Sequence, residues 1–259
     1  MAAMIIVGHR GARNLWPENS MSGFRRLIAL GADAVEFDVQ ETRDGKAVVI
    51  HDPLLDRTTE GAGPVRDHDA AEVLAMRLRR GQGVQEQQRG DETDECVPSL
   101  AEVLKLFAPT RMELHVEIKS DAAGELPPGA IARTVQALHD AGVAERSILT
   151  CFVPEVLAQV LAHWPRGRVL ASLDHRSAEM LGGITRALAR YAALPGCIVA
   201  VEKKLLAATW PQCLAALGSE RLGAWVINEP DEIAQWLTMP MRQITTDRPD
   251  LALAARART

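Results

Sequence analysis

Nowhere do the 259 residues contain a run approaching the roughly 20 apolar positions that a membrane-spanning helix requires. Insertion into a bilayer is therefore not expected. The opening MAAMIIVGHRG has no basic segment ahead of its short apolar run, unlike a secretory leader, so the cytoplasm is the expected compartment. Cysteine is sparse: Cys96, Cys151, Cys197 and Cys213 are widely spaced, with no CxxC pair. They read as reduced thiols in a reducing compartment, and Cys151 as a buried, inert one. A basic excess is missing too, since 29 Lys and Arg face 34 Asp and Glu for a net charge of -5. That balance excludes nucleic acid or an anionic membrane as the main partner and leaves any phosphate recognition to local groups. No solenoid-period repeat is present, and the polar, aperiodic stretch 80–95 reads as an exposed loop that holds no second domain.

What the chain does have is alternation. Short apolar, β-branched runs at 4–8, 34–39, 47–51, 115–119, 147–152, 168–173, 197–202, 221–226 and 243–246 read as strands. Segments of helical period lie at 20–30, 70–79, 100–107, 130–141, 154–164, 178–192, 210–217, 231–237 and 250–257. Repeated βα units predict a mostly parallel sheet, and about 250 residues is an ordinary size for one (β/α)8 barrel. The expected organisation is one barrel domain over 1–259. Nine strands for eight barrel positions leave one surplus, and 47–51 follows 34–39 after a TRDG turn too short for a helical crossover.

Chemistry concentrates where strands end. In EFDVQETRDGKAVVIHD, Glu36 and Asp38 stand two apart and share one strand face, and a second strand then delivers His51 and Asp52. Like charges held together in an apolar setting are costly unless a cation lies between them. A hard divalent ion resolves this; an arginine partner for one carboxylate would as well. MIIVG runs into His9 and Arg10, and LHVEIK places Glu117 and Lys119 on one face. His9 and His51 suit proton transfer near neutrality, or are structural, as His68, His115, His139, His163 and His175 are read. Asp52 stands at the rim or caps the turn before Pro53, and Lys119 either meets an anion or pairs with Glu117 or Asp38. Asn19 caps a helix or joins the site, and Lys203, after the strand at 197–202, reaches toward the pocket.

HRGARNLWPENS, EFDVQETRDGKAVVIHDPLLDRTTEG and HVEIK, in that order and register, resemble the signature segments of the glycerophosphodiester phosphodiesterase family. The likeness continues through Cys151-Phe152, WVIN at 225–228 and TDRP at 246–249. It implies a (β/α)8 TIM barrel that hydrolyses glycerophosphodiesters to sn-glycerol 3-phosphate and an alcohol. His9 and His51 would be the acid and base, and Glu36, Asp38 and Glu117 the ligands of Mg2+, or alternatively Ca2+. Arg10 and Lys119 would bind phosphate, with Glu18, Asn19, Phe152 and Trp225 around the substrate. Two alternatives stay open: a barrel lyase forming a cyclic phosphate, and a non-catalytic phosphoglycerol-binding barrel. The oligomeric state is undetermined, a homodimer included. Departures are few: Glu41 stands where an apolar residue is expected, Cys151 where serine is common, and Val226 replaces threonine. No sizeable insertion follows His51, so an open pocket is expected.

Overall fold

The computed structural model describes residues 3–79, 95–120 and 125–258. Eight strands run parallel: β1 (Ile5–Gly8), β2 (Ala34–Glu41), β4 (Glu113–Ile118), β5 (Ser147–Cys151), β6 (Arg168–Leu173), β7 (Ile198–Glu202), β8 (Leu222–Trp225) and β9 (Gln243–Thr246). Their order, with β1 bonded to both β9 and β2, closes a ring. The surplus strand, β3 (Ala47–Val49), pairs antiparallel with β2 outside it, as the short turn requires.

The helices are α1 (Met21–Leu30), α2 (Ala70–Val73), α3 (Leu100–Phe107), α4 (Ala130–Asp140), α5 (Pro154–His163), α6 (His175–Met180), α7 (Ile184–Ala192), α8 (Lys203–Leu217), α9 (Pro230–Leu237) and α10 (Pro249–Arg256). Their bounds correct the sequence reading at three places. The helix expected over 70–79 stops at Val73, because Arg77 and Leu78 turn into bridges with Cys96 and Thr59. That expected over 178–192 is two, broken at Gly182 and Gly183, whose φ of 86° and 98° are open to glycine. The one expected from Trp210 begins at Lys203, where the Glu202 side chain caps two backbone amides. Pro211 is accommodated inside it by a kink at Thr209. The loop read over 80–95 lies outside the described residues, Glu95 excepted.

Strand alternation divides the core. Val35, Phe37, Leu114, Leu149, Ala171 and Val199 face outward into a continuous apolar layer beneath the helices. Ile148, Leu170, Ile198 and Ala200 fill the barrel interior in a smaller cluster. Between β3 and α3 the chain makes an excursion with its own cluster of Val48, Ile50, Leu55, Val65, Val73 and Val97. This brings residues 52–66 to the barrel mouth.

The barrel floor is ionic. Glu113, at the start of β4, accepts from Arg242 at 2.7 and 2.8 Å and from His115 at 2.8 Å, with Arg168 at 2.7 Å. Burial favours its neutral form, yet His115, Arg242 and Arg168 outweigh this and hold the carboxyl well below its ordinary value of 4.5. A depressed folded pKa contributes stability that is fully present above the ordinary value and lost as pH falls through the folded one. Glu113→Gln should therefore cost about 3 kcal/mol at neutral pH, chiefly by stranding the largely buried Arg242. Urea titrations at pH 7 and pH 3 should show the wild-type advantage shrinking in acid.

Candidate active site

The register of two strands assembles the charged cluster. In the β2–β4 ladder Asp38 stands opposite Glu117 and Glu36 opposite His115, so alternation turns all four into the barrel. One carboxylate oxygen from each of Glu36, Asp38 and Glu117 lies within 4.8 Å of the others. Among the described residues this is the one acidic or imidazole cluster of metal-binding size.

The segment between β1 and α1 clamps the cluster from above. The Arg10 backbone amide donates to Glu36 Oε2 at 3.0 Å, and Asn19 Nδ2 donates to Asp38 Oδ2 at 2.8 Å. Arg10, Ala12 and Asn19 sit at φ of 50°, 74° and 54°, and they are the only non-glycine residues with positive φ among those described. Left-handed backbone at three side-chain-bearing residues costs on the order of 1–3 kcal/mol each, a strain characteristic of binding and catalytic loops. Gly11 lies between them at φ 76°, and a Cβ there would stand 2.9 Å from the Phe24 ring. Asn19 is thus no mere cap; Ser20 caps α1, accepting from the Gly23 amide.

The electrostatics invite a cation. Burial, reinforced by Asp38 and Glu117, pushes Glu36 well above the ordinary carboxylate range. Its Oε1 is buried without a hydrogen-bond partner. Asp38 is buried too, but Lys119 and Arg10 outweigh that cost and hold it ionised, below the ordinary range. Lys119 Nζ lies 2.8 Å from Asp38 Oδ1 and also pairs with Glu117. Lys119 and Arg10 supply two positive charges against three carboxylates. An orphaned buried oxygen in an all-carboxylate donor set fits a hard divalent ion with oxygen ligands.

Each expected histidine carries its own carboxylate. His9 Nδ1 donates to Asp247 Oδ1 at 2.6 Å, and His51 Nδ1 to Asp52 Oδ1 at 2.6 Å. Despite burial, His9, Arg13 and Asn228 lower Asp247 to about 2. Arg57 and His51 likewise lower Asp52 to about 2. Ionised carboxylates only accept, so both Nδ1 atoms carry a proton, and Nε2 is the atom of each ring left to exchange one with a bound molecule. His9 Nε2 stands 3.9 Å from Glu36 Oε2. Burial, the largest influence, lowers His51 below its ordinary value.

These groups line one cavity of about 200 Å³, shared by His9, Arg10, Glu36, His51, Glu117 and Lys119. Phe152 and Trp225 form its opposite wall, ring edge to ring face at 5.9 Å and 89°. Glu18 stands behind Arg10, whose Nη1 donates to it at 3.2 Å. Lys203 is not part of the site; it pairs with Glu232. Cys151 is buried and its thiol is pushed up to about 11, chiefly by burial, as an inert thiol should be. Glu41 is buried where an apolar residue was expected because Arg133 on α4 pairs with it at 2.6 Å.

Three features went unread in the sequence. Asp247 stands in the TDRP segment at 246–249 with nothing local to mark its role, and its distance of 238 positions from His9 hides the pairing. Arg57 bridges Glu18 at 2.8 and 2.9 Å and Asp52 at 2.5 and 3.1 Å, joining the two loops. Thr150 Oγ1 and both amide atoms of Gln243 are buried without protein partners, and both residues line the cavity. Only the invariable alternation of β5 and β9 could have flagged them.

Comparisons with known proteins point to one family. The sequence model of the Glycerophosphoryl diester phosphodiesterase family matches residues 9–251. A glycerophosphodiester phosphodiesterase of Caldanaerobacter subterraneus is 36% identical over 57% of this chain, the match spanning 58% of that relative's length. One from Bacillus altitudinis is 27% identical over 97% of both chains. The crystal structure of an Agrobacterium tumefaciens protein superposes with a TM-score of 0.83 at 27% identity, covering 99% of this chain and 98% of that one.

Titration with Mg2+ or Ca2+ in a calorimeter should show one strong site, and Glu117→Gln should weaken it at least tenfold. Because the ion binds only the folded chain, saturation at about 100 times the Kd should add about 2.7 kcal/mol of stability.

Proposed function

The chain belongs to the glycerophosphoryl diester phosphodiesterase family, and from that membership and the site's geometry we propose that it hydrolyses glycerophosphodiesters to sn-glycerol 3-phosphate and an alcohol. The observation that carries the reading is the pair of carboxylate-oriented imidazoles flanking a buried three-carboxylate cluster in one cavity. Breaking a phosphodiester requires a proton removed from the attacking oxygen and one delivered to the leaving oxygen. His9, beside the carboxylates, suits the first task. His51, at the rim, suits the second, and burial lowers its pKa, making the imidazolium readier to release a proton.

Glu36, Asp38 and Glu117 would hold the divalent ion, Mg2+ or Ca2+, which when bound supplies Lewis-acid polarisation of a phosphoryl oxygen. Arg10 offers planar donors and Lys119 a compact charge against phosphate oxygens, offsetting charge that grows in the transition state. Glu18 and Asn19 keep Arg10 and Asp38 in place. Phe152 and Trp225 provide an apolar wall for the glycerol carbons, and the unpartnered Thr150 and Gln243 groups suit its hydroxyls. The four thiols, none in a disulfide, suit the cytoplasm. Among the described residues no helix is long and apolar enough to cross a membrane.

His9→Ala and His51→Ala should each lower turnover by roughly 10²–10⁴ while leaving thermal unfolding near wild type, and Asp247→Asn should act in the same direction by misorienting His9. Full activity after chelation would sink the metal assignment. Coupled detection of sn-glycerol 3-phosphate, rather than a cyclic phosphate, tests the hydrolytic outcome. Diesters of choline, ethanolamine and glycerol should turn over within about tenfold of one another, since the contacts address phosphate and glycerol. A bis-aryl diester should be much poorer, because it leaves Thr150 and Gln243 unpaired.

A further inference from the structure

A second and larger cleft opens beside the first. Its volume is about 700 Å³, and it shares His51 and Lys119 with the 200 Å³ cavity. One wall is the excursion at Pro53 and Leu54; the other is Leu126 and the start of α4 at Ala130; the floor is Val39 and Ile118, at the ends of β2 and β4. Leu54 is 47% exposed, exceeded among the large apolar side chains of the described residues by Met180 alone. Of the two acidic residues lining the cleft, Glu41 and Glu125, the first pairs with Arg133.

Two sizes and the shared His51 and Lys119 decide what the cleft is for. Binding pockets that enclose a whole small-molecule ligand run to about 300–1,000 Å³, so the inner cavity has room for a phosphate and a small polyol but little more. The rest of a diester must leave past His51, and that is where the cleft begins. Polar residues lie along it, Gln40, Arg66 and Thr134 among them, but Leu54, Val65 and Leu126 give its walls surface that buries carbon well. Resting on the hydrolase reading above, we propose that this cleft is a subsite for the leaving alcohol, and that the alcohol it selects is an apolar one, an aliphatic chain of several carbons. Choline, ethanolamine and glycerol end before reaching the walls, which is why they are treated alike.

The test is a series of glycerophospho-n-alkanols from ethanol to octanol, assayed below their aggregation concentrations. Each methylene entering the cleft should raise kcat/KM roughly two- to fourfold, giving at least tenfold across the series. Leu54→Glu and Leu126→Glu, neither in contact with phosphate or glycerol, should erase that rise and leave the ethyl diester unchanged. A flat series overturns the proposal, as does a rise that survives both substitutions. So does a large loss of thermal stability in both variants, which would mean that another part of this chain covers the cleft. If no diester is cleaved, the hydrolase reading has failed on its own. Calorimetry of octyl phosphate against ethyl phosphate then still reads the cleft: tighter octyl binding that Leu54→Glu abolishes supports it, and equal binding overturns it.

Discussion

Three carboxylates are forced together inside a closed barrel, and most of what is unusual in this chain answers that constraint. The β2–β4 register sets Asp38 against Glu117 and leaves Glu36 one step below, so like charges meet where water cannot separate them. Every neighbour responds. Lys119 is drawn between two of them, and the Arg10 amide and the Asn19 amide group take up further oxygens. The loop that brings those donors is bent into left-handed backbone at three residues that are not glycine. Without the carboxylates the strained loop would have nothing to hold.

The two ends of the barrel use ion pairs for opposite purposes. At the floor Glu113 is surrounded by Arg168, Arg242 and His115, with Arg242 Nη1 left over as a buried donor. Around the inner cavity the accounts do not balance: Glu36 Oε1, Thr150 Oγ1 and, from the start of β9, the Gln243 amide are buried and unpartnered. Buried polar groups are normally satisfied, so their gathering around one cavity suits a ligand that completes the structure. Stability is gathered below and reactivity above, the division expected of parallel barrels.

The fold was legible because alternation of β-branched runs with helical period is a repeated signal, and the one irregular strand betrayed itself by a turn too short for a crossover. Glu36, Asp38, His51, Glu117 and Lys119 were legible because each lies within a strand or at its end, where a period of two assigns the face. Asp247 and Arg57 were not, because what matters about them is a partner far away in sequence or on another loop. Helix bounds failed where local chemistry competes with period: a glycine pair inside one helix, and a kink at Thr209 beside Pro211 that hid the first turns of another.

The bond between His9 and Asp247 spans the junction where the first and last strands meet to shut the ring. A chain emerging from the ribosome makes its first imidazole almost at once and must wait on the order of tens of seconds, at ordinary synthesis rates, for the carboxylate that aims it. Through that interval β2 and β4 can pair and the excursion can collapse on its own apolar cluster, yet the His9–Asp247 pair stays unassembled. On the function proposed above, competence would belong to the completed circle, and a nascent or C-terminally clipped chain would lack the carboxylate that orients His9.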